Sequence, residues 1–382
     1  MKRSTERILT THTGSLPRPA DLLSLIQSME TGAGNAAAFG ARVHSAVAEI
    51  VQAQVRAGVD IVNDGEMGKP SYATYVKDRL TGFEQVGQPT PFAGPADLTD
   101  YPEYHERHNL RRAAATLVRP KCVGEVKHKD STAVNKEIDD LRSAVAQSKV
   151  TEAFLSAASP GVISIFLPNE YYKTLEAYVA ALAEAMKPEY EAINRAGFVL
   201  QVDCPDLAMG RHIQFPNLSV AEFRKKIELH VEMLNAALAN IPADRVRIHL
   251  CWGNYEGPHH RDVPLRDIID IVFKVRANGI SYEAANPRHE HEWAVFREVK
   301  LPDGKVLIPG VLDSTTNFIE HPELIAQRIC NVANLVGPEN VIASTDCGFA
   351  TSATFSAVDP KITWAKFESM AEGARLASKQ LW

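Results

Sequence analysis

The sequence predicts a closed (β/α)8 TIM barrel, and three observations predict it. Short β-rich runs alternate with helical stretches along most of the chain, the pattern of a parallel sheet. Eight such runs can be counted, the number that closes this barrel. The chain has 382 residues, 45% of them hydrophobic, enough for one large core in a single domain spanning 1–382.

The elements follow in order. Ile8 to Ser15 is the first candidate strand and Val59 to Asp64 the second, with a helix from Ala38 to Ala57 between them. The run Gly161-Val162-Ile163-Ser164-Ile165-Phe166 reads as the third strand, followed by a helix from Tyr171 to Ala196 that stops at Gly197. Phe198 to Asp203 is the fourth strand, before a helix from Val220 to Ala239. Arg245 to Cys251 is the fifth, before a helix from Leu265 to Ala277. Ile280 to Glu283, Val306 to Asp313 and Val341 to Cys347 are the last three, with a helix from Pro322 to Val336 ahead of the final one. The stretch 82–149 breaks the rhythm: it is rich in Pro and charge and carries a β-like piece from Thr116 to Lys127. It reads as an insertion after the second βα unit, an extended hairpin with a helical arm, suited to walling an active site or to contact in a homo-oligomer.

Bulk properties narrow the function. The net charge is −6 with His neutral, so neither nucleic acid nor an anionic membrane is an expected partner. No apolar stretch approaches the roughly 18 residues of a membrane helix, and the charged Met1 to Arg7 leads into no apolar signal segment. A cytoplasmic protein is the expectation. The cysteines are Cys122, Cys204, Cys251, Cys330 and Cys347, an odd and sparse set that suits free thiols or metal ligands better than disulfides.

His249 and Cys251 end the fifth strand two residues apart, and i and i+2 in a strand point to one side. An imidazole and a thiolate would converge at the C-terminal mouth, where barrel enzymes place their chemistry. Glu283 ends the next strand and Cys347 the last. Zinc accepts nitrogen, thiolate and carboxylate ligands. Taken singly, each has a bland reading: a core His, a buried small Cys, a rim carboxylate. Three rim positions each offering a ligand favour the metal. Two thiolates and a carboxylate would leave a metal-bound substrate thiolate electron-rich, which points to a sulfur nucleophile rather than to hydrolysis, where His-rich sites are commoner.

Further segments complete a resemblance. They are the opening Thr11-His12-Thr13-Gly14-Ser15-Leu16-Pro17-Arg18-Pro19, Asp64-Gly65-Glu66, Gln201-Val202-Asp203, Ile280-Ser281-Tyr282-Glu283 and Asp346-Cys347-Gly348. With His249-x-Cys251, in this order, the chain resembles the catalytic C-terminal domain of cobalamin-independent methionine synthase and its single-domain relatives, which include the epoxyalkane:coenzyme M transferase. The resemblance implies zinc on His249, Cys251, Glu283 and Cys347. It implies a small thiol substrate, homocysteine in the synthase, lying on the backbone of Thr13, Gly14 and Ser15, its amino group met by Glu66 and Asp203. Read alone, Asp203 also suits a cap for the following turn, and Glu66 a surface loop.

The departures concern the alkyl donor. The family's folate-contacting carboxylate falls on Met209, its folate-stacking Trp has no counterpart in Ile165-Phe166-Leu167-Pro168, and its proton-donating His falls in Ser314-Thr315-Thr316. The expected donor is therefore not a folate polyglutamate but a methylcorrinoid protein, a small methylated compound or an epoxide, with no general acid assigned. Two mouth loops offer second-substrate contacts, Trp252 and Tyr255 for stacking and His259, Arg261 and Arg288 for an anionic group; solvated loops are the bland reading. Rival functions are an epoxide:thiol transferase, a zinc hydrolase or lyase on the same barrel, and a non-catalytic zinc- or thiol-binding protein.

Overall fold

The computed structural model describes residues 1–85, 94–112, 119–353 and 356–382. Eight parallel strands make one sheet: β1 (Leu9–Thr10), β2 (Ile61–Val62), β3 (Glu152–Ala158), β4 (Val199–Asp203), β5 (Val246–Leu250), β6 (Gly279–Tyr282), β7 (Val306–Leu312) and β8 (Ile342–Thr345). Their spatial order is β1-β8-β7-β6-β5-β4-β3-β2. The two ends meet through Asp60 N–H on the Thr10 carbonyl at 3.1 Å and the Thr11 hydroxyl on the Ile61 carbonyl at 3.0 Å. The result is the expected (β/α)8 barrel. All residues of β4 to β8 are buried, as strands covered on both faces must be.

The ring outside the strands contains α1 (Ala20–Glu30), α2 (Ala36–Arg56), α3 (Thr132–Ala146), α4 (Leu175–Arg195), α5 (Val220–Ala237), α6 (Pro322–Val336) and α7 (Pro360–Leu381). Local chemistry sets their starts. Asn35 accepts from the Ala37 and Ala38 amides, Thr174 from Ala177, and Ser219 forms a reciprocal capping box with Glu222. Pro322 and Pro360 stand in the first turn, where a missing N–H costs nothing. Among the described residues no helix is long and apolar enough to cross a membrane.

Three expectations need correction. The run 161–166 is not a strand but part of a helix, Pro160–Phe166. Ser159 caps it by accepting from the Val162 amide at 3.0 Å, and Pro160 fixes its first turn. An apolar run this short has no decisive periodicity, and the start signal Ser-Pro outweighs the β propensity of its Val and Ile. The third strand is the preceding Glu152–Ala158. The helix expected over 265–277 shrinks to a turn at Leu265–Asp267 and the short Ile269–Val272, because the chain already turns back toward β6 at Val275 and Ala277. Within 82–149 the hairpin exists, Phe83–Glu84 pairing antiparallel with Lys121–Cys122, and so does a helical arm, Pro102–Arg112. Residues 116–118 of the β-like piece lie outside the described residues. The stretch also holds α3, which packs against α2 and α4 as a member of the ring.

Candidate metal centre and thiol cradle

His249 lies on β5, and Cys251 follows that strand by one residue. Cys347 lies two residues beyond β8. Nδ1 or Nε2 of His249 and the two sulfur atoms gather within 4.8 Å of one another, all on buried residues. The Cys251 and Cys347 sulfurs are 3.7 Å apart. Two thiolates on a tetrahedral zinc, each at the usual Zn–S length, stand ~3.8 Å apart, so the pair already has the separation a shared metal requires. His249 Nδ1 lies 3.3 Å from the Ser281 hydroxyl on the neighbouring strand. Its Nε2 is buried with no hydrogen-bond partner among the described residues. A hydroxyl that takes the Nδ1 proton leaves the Nε2 lone pair free, the arrangement found behind metal-bound histidines. Burial, and then the Arg247 cation, hold His249 down at about 3, so the ring is neutral and able to ligate.

Glu283, one residue past β6, borders this trio rather than joining it. One carboxylate oxygen accepts from the Trp252 amide at 3.0 Å and the other from Asn286 Nδ2 at 2.8 Å. Burial, and then Cys251, push its carboxyl well above the usual range. The hydrogen bond with Cys347, and then burial, push the Cys251 thiol up as well. A cation placed among these groups would reverse both shifts, because the carboxylate and the thiolate are each stabilised by a neighbouring positive charge. The donor set therefore fits zinc.

The segment Thr13 to Ser15, the candidate thiol cradle, is tied to the same strand ends. The Thr13 amide donates to the Thr345 hydroxyl and the Thr13 hydroxyl to the Thr345 carbonyl, both at 3.2 Å. The Thr345 hydroxyl also lies 2.9 Å from the Cys347 carbonyl, and the Phe349 amide reaches Ser15 O at 2.9 Å. Gly14 has φ 141°, and a Cβ there would stand 2.9 Å from Glu66 Oε1, so only glycine lets this backbone lie against that carboxylate. Glu66 itself is held at φ 57°, a left-handed conformation that costs a non-glycine residue ~1 kcal/mol or more. Asp64 Oδ1 accepts its amide at 3.1 Å, and the turn aims the side chain inward. Glu66 Oε1 accepts from Ser156 at 2.7 Å, while Oε2 is buried without a partner among the described residues.

Asp203 ends β4 and is buried beside Glu66. Burial, and then the Glu66 charge, push its carboxyl well above the usual range. Gln201 donates to Asp203 at 2.8 Å and also to the Thr13 carbonyl. Arg247 holds Gln201 Oε1 at 2.8 Å, the Thr11 hydroxyl at 2.9 Å and the His12 carbonyl at 2.6 Å. Two neighbouring buried carboxylates, one with an orphaned oxygen, have the charge and the free acceptor that an ammonium group would satisfy.

Of the mouth-loop residues read as second-substrate contacts, Trp252, Tyr255, His259 and Arg261 each have partners within the protein. Trp252 is fully buried, its indole N–H on the Val263 carbonyl at 2.7 Å and its ring stacked on His289 at 4.0 Å. The Tyr255 hydroxyl donates to Asp97 at 2.7 Å, and its ring stacks on His259 at 4.1 Å. Arg261 is paired on the surface with Asp100. Asp262 gathers His259 at 2.9 Å, His289 at 3.0 Å and His212 at 3.1 Å. Sequence reasoning left out Ser281, Arg247 and Tyr72. The Tyr72 ring meets Phe166 edge-on at 5.8 Å, and burial, followed by Cys251, Cys347 and Asp203, keeps its phenol protonated. A hydroxyl one strand away from a rim His was a usable signal for Ser281. Tyr72 sits in the loop after β2 with no motif around it.

The model of the cobalamin-independent synthase catalytic domain matches residues 118–368, more than half of the chain. This chain belongs to that family. Among the relatives of this synthase-family chain, the methionine synthase of Saccharolobus solfataricus is 24% identical over 97% of this chain and 95% of its own length. That of Thermococcus kodakarensis is 24% identical over 96% and 93%. A solved B12-independent methionine synthase from Shewanella sp. W3-18-1, in complex with selenomethionine, superposes with a TM-score of 0.74 at 19% identity, covering 98% of this chain and 99% of that one. It shares the barrel.

Proposed function

We propose that this chain is a zinc-dependent transferase that moves a methyl group onto the sulfur of homocysteine or a similar aminothiol. The observation that carries the proposal is the buried trio of His249, Cys251 and Cys347, with an unpartnered imidazole nitrogen and sulfurs 3.7 Å apart. Its relatives are methionine synthases, which supports the same reaction class here.

His249, Cys251 and Cys347 would hold the ion, with Glu283 as the fourth ligand. Bound zinc supplies Lewis acidity that ionises a thiol at neutral pH. The chain's own residues do the rest. The Thr13 to Ser15 backbone positions the thiol's tail, and Glu66 and Asp203 neutralise its ammonium. The network of Gln201 and Arg247 ties Asp203 to the backbone of His12 and Thr13, while Ser156 holds Glu66. Holding the sulfur in line with the donor supplies the proximity contribution to rate.

The donor is proposed to be other than a folate polyglutamate. Met209 is buried and brings no carboxylate, and Thr315 donates its hydroxyl to Asp313 at 2.8 Å and brings no imidazole. A methylcorrinoid protein or a small methylated compound fits this better. The test is a panel of thiols against methyl donors and epoxides, read by mass spectrometry of the alkylated thiol. Methylated homocysteine from a non-folate donor is expected. Steady turnover with methyltetrahydrofolate would overturn the donor assignment, and a product only with epoxides would favour the epoxide:thiol transferase.

A further inference from the structure

Asp346 precedes Cys347, yet its side chain turns away from the metal trio. It crosses the neighbouring strand β7 and grips the loop after β6. One oxygen accepts the Ala284 and Ala285 amides, both at 2.8 Å; the other accepts the Asn286 amide at 2.7 Å. The second oxygen also takes Asn286 Nδ2 at 3.1 Å, and that same amide nitrogen holds Glu283 Oε2 at 2.8 Å. One carboxylate on the β8 end thus organises three consecutive amides immediately after Glu283 and, through Asn286, the Glu283 side chain.

The crossing is possible because β7 carries Gly310 at that point. A Cβ on Gly310 would stand 2.0 Å from Asp346 Oδ1 and 2.6 Å from its Cα. The register of β8 on β7 shifts between Ser344 and Thr345, and the Asp346 amide lands on the Leu312 carbonyl at 2.9 Å, which brings Asp346 directly over the glycine. Glu283 and Cys347 come from strands that do not touch each other, so no sheet hydrogen bond sets their separation. Asp346 does.

We propose that Asp346 is a positioning residue for the metal centre, and that Gly310 is the gap that lets it work: together they hold Glu283 at a set distance from Cys347. The inference rests on the zinc reading above. Carboxylates and amides that orient metal ligands in this way change metal affinity by ~10–100-fold when removed. Asparagine at position 346 keeps the shape but replaces one acceptor oxygen by a donor that faces the Asn286 amide. Alanine at 310 leaves the carboxylate intact and pushes it off its path.

The experiment measures zinc affinity by chelator competition, and the Co(II) absorption spectrum, on folded protein checked by circular dichroism. The proteins are wild type, Cys251→Ser, Asp346→Asn and Gly310→Ala. The expected result is at least tenfold weaker zinc binding in both Asp346→Asn and Gly310→Ala, with a Co(II) spectrum altered in its ligand-field bands while the sulfur-to-metal bands persist. A role in stability alone would lower the melting temperature but leave affinity and spectrum of the folded fraction as in wild type; that outcome overturns the inference. If Cys251→Ser itself keeps wild-type affinity, the zinc reading fails first, and the two failures are told apart.

Discussion

Two sides of the barrel mouth are built in different ways. Around β1, β4, β5, β6 and β8 the groups are fixed by strand register and by contacts between neighbouring strand ends: Thr13 on Thr345, Ser281 behind His249, Gln201 and Arg247 beneath Asp203. Next to it, the loop after β5 is held by side chains from the turn Ala96–Asp100. Asp97 accepts from Tyr255 and from the His259 amide at 2.7 Å each, and Asp100 takes His260 and Arg261. The first side leaves His249 Nε2 and Glu66 Oε2 buried without a hydrogen-bond partner among the described residues. The second turns most of its polar contacts inward or into solvent-facing pairs, and it too keeps buried atoms without a hydrogen-bond partner among the described residues, Asp97 Oδ1 and His212 Nε2. The proposed thiol and metal chemistry thus rests on the strand ends, while the loop after β5 is held by contacts of its own, in the part of a barrel that varies most freely.

The division breaks first at Cys251. Cys251→Ser is expected to lose bound zinc, measured by elemental analysis, and to lose thiol alkylation below detection. Retained metal with full activity would place the chemistry elsewhere. Next come Glu66→Gln and Asp203→Asn, each removing a charged contact worth ~1.5–3 kcal/mol. Either should raise the KM for homocysteine by ~10–100-fold with zinc content unchanged, and have far less effect on a thiol lacking the amino group. Equal effects on both thiols would remove these carboxylates from ammonium recognition.

The loop after β5 yields smaller effects. Burial works against the charge on His289, but hydrogen bonds to Asp262 and Glu292 push it up to about 10. That lies above the ordinary value of roughly 6.5 for the unfolded chain. Its stabilisation is therefore complete below pH ~6.5 and is lost as pH climbs toward 10. Wild type should lose melting temperature over that window more steeply than His289→Gln; parallel curves would contradict the charged pairing. Asp97→Ala should cost about 1–2 kcal/mol in denaturant unfolding, from two lost hydrogen bonds, and leave zinc affinity and homocysteine KM unchanged. A drop in zinc affinity would show that the two sides are coupled.

Much of the rigid side was legible in the chain. His249 and Cys251 share a strand face by period alone, and Cys347 falls at a strand end after an apolar run. Strands buried on both faces advertise themselves through Val, Ile and Leu. What escaped is what depends on neighbours in space. The segment 161–166 has strand composition, yet Ser159 and Pro160 start a helix there. The helix at 360–381 carries an Asp-Pro start signal that is readable in the sequence. The aromatic rings of the loop after β5 suggested stacking on a ligand, but sequence cannot show that Trp252 already stacks on His289 and Tyr255 on His259. Asp346 is visible as an acidic residue at a strand end, but its reach across Gly310 depends on a register shift that no periodicity predicts.

The most direct test of the account is X-ray absorption at the zinc edge, with and without homocysteine. The zinc protein alone should show two sulfur ligands at about 2.3 Å together with nitrogen and oxygen. Added homocysteine should raise the sulfur count to three and displace an oxygen ligand. An unchanged spectrum, with two sulfurs and oxygen kept in the presence of saturating thiol, would contradict a thiol-activating metal centre and favour a hydrolytic one.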